Sequence, residues 1–310
     1  MFVKFEDIVL ELSLLMKLRI TVAIATGVII IGFFVWPWVA PTDPFGTVSV
    51  IEGSINQTDM IKLVGFSILA SLIAFIVSWP YGKHIAVLAV PFGLAVLAIR
   101  SGNMDELIRH NQSASARLEL FAQIRWESFF WLAIMAVSLL AVYTCIKIVP
   151  QNPRPGQTAK SSASNLNTLI NIAIAIGISV LLSKFLLMIF AQAIRIPDNK
   201  LGAVTVQVTT AQIAFACLLS FGIAAFVIKK FLDLNYICTI IAAAIVQPVI
   251  FTIYLQPAVL EHLAERWPVV FYSNSIASIL PIQIVSFGSI GAIVGHWLAV
   301  RHSYWKNSGI

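Results

Sequence analysis

Apolar runs about as long as a bilayer is thick alternate with short polar connections along the whole chain. A spanning α-helix needs about 20 mainly apolar residues. Eight stretches approach that: Ile20–Val39, Leu63–Trp79, Ile85–Ile99, Phe129–Ile148, Leu169–Ile194, Ile213–Ile228, Tyr236–Leu255 and Ile276–Val300. The third is short and spans if Lys83 and Arg100 snorkel outward. Only residues 80–84 separate the second run from the third, and 229–234 the sixth from the seventh, so each pair reads as a tight helical hairpin.

The pattern recurs. Pro197-Asp198 followed by Gly202-Ala203-Val204-Thr205-Val206 echoes Pro41 to Val50, with its Gly46-Thr47-Val48-Ser49-Val50. Each copy combines helix breakers with alternating Val and hydroxyl residues, which suit a short extended segment. Further on, Leu72–Val77 resembles Ile223–Ile228, and Val90-Pro91 has a counterpart in Gln247-Pro248. A Pro-, Gly- and Ser-rich stretch, residues 151–167, divides a first four-helix repeat (20–150) from a second (168–310). With an even number of spans in each, the repeats are parallel, related by an axis along the membrane normal. The expected fold is thus an all-α polytopic integral membrane protein of eight transmembrane helices in two tandem parallel four-helix repeats, with surface amphipathic helices.

Those surface helices are of two kinds. In residues 1–19, Phe5, Ile8, Val9, Leu12, Leu15 and Met16 recur at helical spacing, an amphipathic helix at the cytoplasmic surface. Glu6, Asp7 and Glu11 exclude a secretory signal there. Polar insertions between the third and fourth spans of each half, Met104–Gln123 and Val259–Trp267, predict outer caps. In the first, Asp105 and Arg109 form an i,i+4 pair.

Composition fixes the solvent. Of 310 residues, 59% are hydrophobic and 11% charged, whereas a soluble domain carries about 25% charged residues. Mean hydropathy is +0.91. The net charge of +6 lies mostly in short connections, which makes it a topology signal and not a nucleic-acid footprint. Lys and Arg bias puts both termini in the cytoplasm of a cell inner or plasma membrane. Cys145, Cys217 and Cys238 lack C-x-x-C spacing and read as buried thiols.

Against this background few residues carry chemistry. Lys184 interrupts the fifth span with no acid in any span core. A lysine at mid-bilayer costs about 2.5–3.5 kcal/mol on insertion scales, so it snorkels or meets an anionic group between the halves. Gln247 and Gln283 are the other candidate ligand or lipid contacts. Pro91, Pro248 and Pro281 are candidate kinks, since proline frees a carbonyl one turn back. Gly288, Gly291 and Gly295 let backbones approach, within the chain or across to a partner. His84 and His296 match no haem or metal spacing, and motifs for nucleophilic, zinc or nucleotide chemistry do not occur.

These features favour a non-enzymatic multi-pass subunit that packs against partner chains, a second copy of itself or lipids, with no cofactor and no nucleic acid. The alternative is a transporter or channel for a lipid-like or amphipathic anionic substrate, with a site between the repeats near Lys184.

Overall fold

In lipid every backbone N–H and C=O needs a partner within the protein, and the apolar runs meet that demand as α-helices. The computed structural model describes residues 14–43, 46–50, 55–111, 113–148, 165–192, 194–198, 202–206, 208–256, 258 and 275–308. Helix α1 (Leu14–Gly27) continues into a π-helical segment, Val28–Phe34. Then come α2 (Gln57–Val77), α3 (Ala89–Arg100), α4 (Met104–His110), α5 (Ala114–Ile124) and α6 (Glu127–Ile148). The second half holds α7 (Asn165–Phe190), strands β1 (Ile194–Asp198) and β2 (Gly202–Val206), α8 (Thr210–Leu232), α9 (Ile237–Tyr254) and α10 (Pro281–Ser308).

Seven helical stretches among the described residues are long and apolar enough to cross a membrane. The other expected span, Tyr236–Leu255, is α9, an apolar helix of 18 residues, at the short end of the about 17–25 that cross a bilayer; its searched part, Ile237–Thr252, is shorter than the other seven. Residues 14–19 belong to the rod of the first span and not to a separate surface helix, while the rest of that expected helix lies outside the described residues. So does the second insertion, Val259–Trp267, apart from its flank.

The first insertion breaks in two. Ser113 caps α5 by accepting the Ala116 N–H at 3.1 Å, and Asn111 folds back onto the Leu107 carbonyl at 2.9 Å; such local bonds end a helix that hydropathy alone would continue. Met104, Leu107, Ile108, Leu120, Phe121 and Ile124 are buried beneath it. Arg109 pairs with Glu106 at 3.7 Å instead of Asp105. Asp105 itself is turned inward and buried, where loss of solvent lifts its carboxyl to about 6 although Arg109 pulls the other way.

The echoed segments differ in structure. Ile194–Asp198 and Gly202–Val206 pair antiparallel, with Asp198 opposite Gly202. Thr47, Val48 and Ser49 are instead buried as coil. Their backbone is satisfied by side chains: Ser101 Oγ accepts the Val48 N–H at 2.8 Å, and Glu127 accepts that of Val50 at 3.3 Å.

Both halves use the same neighbour pairs. α1 packs on α2 and α3, α2 on α3 and α6, and α3 on α6; likewise α7 packs on α8 and α9, α8 on α9 and α10, and α9 on α10. Between the halves, α3 meets α10, α6 meets α9, and α6 meets α10.

Glycine sets the tightest contacts. A Cβ at Gly27 would overlap the Ala89 carbonyl, and one at Gly93 would lie 2.6 Å from the Gly27 oxygen, locking α1 to α3. In the second half α8 and α10 meet through Gly291, which abuts the Leu218 carbonyl, and Gly295, which abuts that of Gly222. Gly288 faces Phe221 and Ala243. The glycine run of α10 is therefore used inside the chain.

Pro281 does not bend a helix; it is the first residue of α10, where a missing N–H has no intrahelical partner to lose. Pro248 lies within α9. Pro91 stands one turn beyond a 3-10 stretch, Ala86–Leu88.

Candidate functional site at the seam of the two halves

The seam is built from α3 and α6 on one side and α9 and α10 on the other, and its polar groups come from helix ends. Asn103 precedes α4, Thr210 opens α8 and Gln283 lies in the first turn of α10. Asn103 Oδ1 accepts from Thr210 Oγ1 at 2.9 Å and from Gln283 Nε2 at 3.4 Å. Gln283 Oε1 in turn accepts the Leu280 N–H at 3.0 Å, the reciprocal half of a capping box, made by a glutamine at N3. Ser128 of α6 donates across the seam to the Ala244 carbonyl of α9 at 2.9 Å.

Gln247 sits beside this network. Fully buried, it donates from Nε2 to the Ile279 carbonyl at 2.5 Å. Exchanging its amide atoms would set oxygen against oxygen, so the orientation is fixed by that contact. Its Oε1 then has no hydrogen-bond partner among the described residues. A buried acceptor next to Pro248 can take one donor, a hydroxyl, an ammonium or water, and leaving it unpaired costs about 1–3 kcal/mol.

Next to Ser128, Glu127 is a carboxylate at only 3% exposure. It accepts from Ser49 Oγ at 2.7 Å, from the Val50 N–H and from Trp131 Nε1 at 3.0 Å. Its place at the N-terminus of α6 also favours negative charge. The geometry is that of an anchor for the 46–50 coil, with its acceptor sites engaged.

The expected site residues are only partly brought together. Gln247 and Gln283 converge on the backbone of Ile279 and Leu280. Lys184 does not join them: half-buried on α7, it belongs to a helix whose main neighbours are α8, α9 and the 275–278 turn. The location between halves expected for Lys184 is therefore corrected, because α7 is peripheral; 22% of its apolar window is buried, against 78% for α10. Among the described residues no carboxylate lies within ion-pair distance of Lys184.

Compared with protein families, characterised proteins and solved structures, the chain matches none.

Two further features escaped the sequence reading. Arg100, assigned to snorkelling, donates to the Gly32 carbonyl of the π-helical segment at 3.0 Å and lies 4.2 Å from the centroid of Trp36. It pins α3 to the end of the first span. Of His84 and His296, the second has the Tyr236 ring edge-on at 5.4 Å, joining α10 to the start of α9. Neither joins a cluster of three metal-ligating side chains among the described residues. The missed seam residues, Asn103, Thr210 and Ser128, carried one signal: each is a polar side chain just outside or at the end of an apolar run, where capping residues belong.

Proposed function

We propose that the protein is a non-enzymatic multi-pass membrane subunit, with both termini cytoplasmic, whose outward face binds a partner chain. The observation that carries this reading is the stripe on α7. Leu169, Ile170, Ile174, Ile178, Leu181, Phe185 and Met188 are all exposed, and Lys184 lies on the same face at i+3 from Leu181 and i−4 from Met188. An ammonium with no ion-pair partner among the described residues, set within an apolar stripe, favours an occupant that supplies an anionic group, as a carboxylate on a neighbouring helix does. A photo-crosslinker at Leu181 or Phe185, activated in native membranes, is expected to give a discrete protein adduct that Lys184→Met weakens. Adducts with lipid alone would overturn the reading.

The duplication is part of the same reading. Exchanging α1, α2, α3 and α6 for α7, α8, α9 and α10 preserves every main neighbour pair within and between halves, as a parallel repeat about an axis beside α6 and α10 requires.

A second reading, a carrier of lipid-like or amphipathic anionic molecules, draws on the buried Gln247 at the seam, whose Oε1 has no hydrogen-bond partner among the described residues. It places the site there and not at Lys184. Flux in liposomes that falls with Gln247→Leu and not with Lys184→Met would favour it.

A further inference from the structure

The glycines that bring α8 and α10 together also leave a slot on their outer side. Its walls, among them Phe215, Leu218, Gly222, Phe226, Val294 and Leu298, are apolar and enclose about 490 Å³. From Phe215 to Phe226 it follows α8 for about 16 Å at 1.5 Å of rise per residue, against about 15 Å for one leaflet of a bilayer whose core is about 30 Å thick. The slot therefore has the length of a single hydrocarbon chain within one leaflet, and no polar side chain interrupts its lining.

One end carries an ammonium and an imidazole. Lys230 is i+4 from Phe226 and His302 is i+4 from Leu298, so each continues a wall of the slot by one turn. The Lys230 ammonium lies 5.7 Å from the Phe226 centroid, and the His302 ring meets the same phenyl at 5.8 Å; both side chains are exposed. Asp233, the acid at this end of α8, is bonded to Lys229 at 2.5 Å, and among the described residues Lys230 has no ion-pair partner. Arg301, half-buried, follows on α10.

We infer that the slot holds one acyl chain of an anionic phospholipid, with its phosphate on Lys230 and His302. This rests on the membrane-subunit reading only in requiring the chain to be embedded in a bilayer, and it concerns the face formed by α8 and α10, not the α7 stripe. Native mass spectrometry of the full chain, equilibrated with vesicles of equal phosphatidylglycerol and phosphatidylcholine, tests it. One retained phosphatidylglycerol per chain is expected, preferred about fivefold for a single basic residue at the headgroup. Gly222→Leu, whose Cβ meets nothing closer than the Gly291 oxygen at 3.4 Å, puts a side chain into the slot lining and abolishes retention, with an unchanged thermal midpoint showing that the helix pair stays folded. Gly177→Leu, where a Cβ meets open space, keeps the lipid. Lys230→Gln with His302→Gln, both at exposed positions, retains a lipid without headgroup preference, an arm independent of the slot's packing. Equal retention by Gly222→Leu and the parent overturns the inference. So does a two-chain species that Gly222→Leu dissociates, which would give the slot to a second copy. Either result leaves the α7 crosslink unaffected, so the two ideas fail separately.

Discussion

Gly295 of α10 and Gly222 of α8 meet backbone to backbone, and a Cβ at residue 295 would overlap the Gly222 carbonyl oxygen. The relation is one-sided. A Cβ at Gly222 meets its nearest neighbour, the Gly291 oxygen, at 3.4 Å, an ordinary contact. Gly295→Ala should therefore destabilise the protein by about 1–3 kcal/mol through overpacking, while Gly222→Ala should change little. Thermal unfolding in mild detergent reads the difference; equal midpoints would refute the packing.

The seam network couples residues far apart in the chain. Asn103→Ala removes the acceptor shared by Thr210 and Gln283, and Gln283→Ala removes the bond to Leu280 as well. Each is expected to cost about 1–2 kcal/mol, with the double mutant less destabilised than the sum, because both truncations break one shared contact. A strictly additive double-mutant cycle would show that the two side chains do not interact.

Glu127→Gln keeps the shape of the side chain but leaves its three donors with a single acceptor oxygen and removes the charge that strengthens those bonds. A loss of about 1.5–3 kcal/mol is expected. Since the indole of Trp131 is among the donors and is fully buried, its fluorescence should shift to the red as the 46–50 coil loosens. An unchanged spectrum and midpoint would argue against the anchor.

Asp105 gives the α4–α5 insertion a pH dependence of definite sign. Its folded carboxyl lies at about 6, above its ordinary 3.8, chiefly because it is buried. Folding therefore favours the protonated form. The contribution is complete below about pH 4 and is lost as pH rises through about 6, on the order of 3 kcal/mol in all. Hydrogen exchange in α4 should be slower at pH 4.5 than at pH 7.5 after correction for intrinsic rates. Asp105→Asn should abolish that difference and protect α4 at pH 7.5; protection lost on that substitution would reverse the assigned sign.

The apolar runs by themselves determined that this is a chain of apolar helices long enough to span a membrane, where the tight hairpins fall, and that residues 104–123 form a separate polar insertion. Hydropathy and capping are local properties, and an apolar rod in lipid has one way to satisfy its backbone. Only the tertiary structure decided which rods meet. Leu169–Ile194 and Ile276–Val300 are both apolar enough to span, α7 the more so, and α7 ends on the periphery and α10 in the centre, because α10 carries the glycines that fit the backbone of α8. For the same reason Lys184 lies outside the seam. Gln247 lies within it, near an Asn103–Thr210 bond that joins residues 107 positions apart, since lipid tails match any apolar face and only close packing and long-range polar contacts single out the right one.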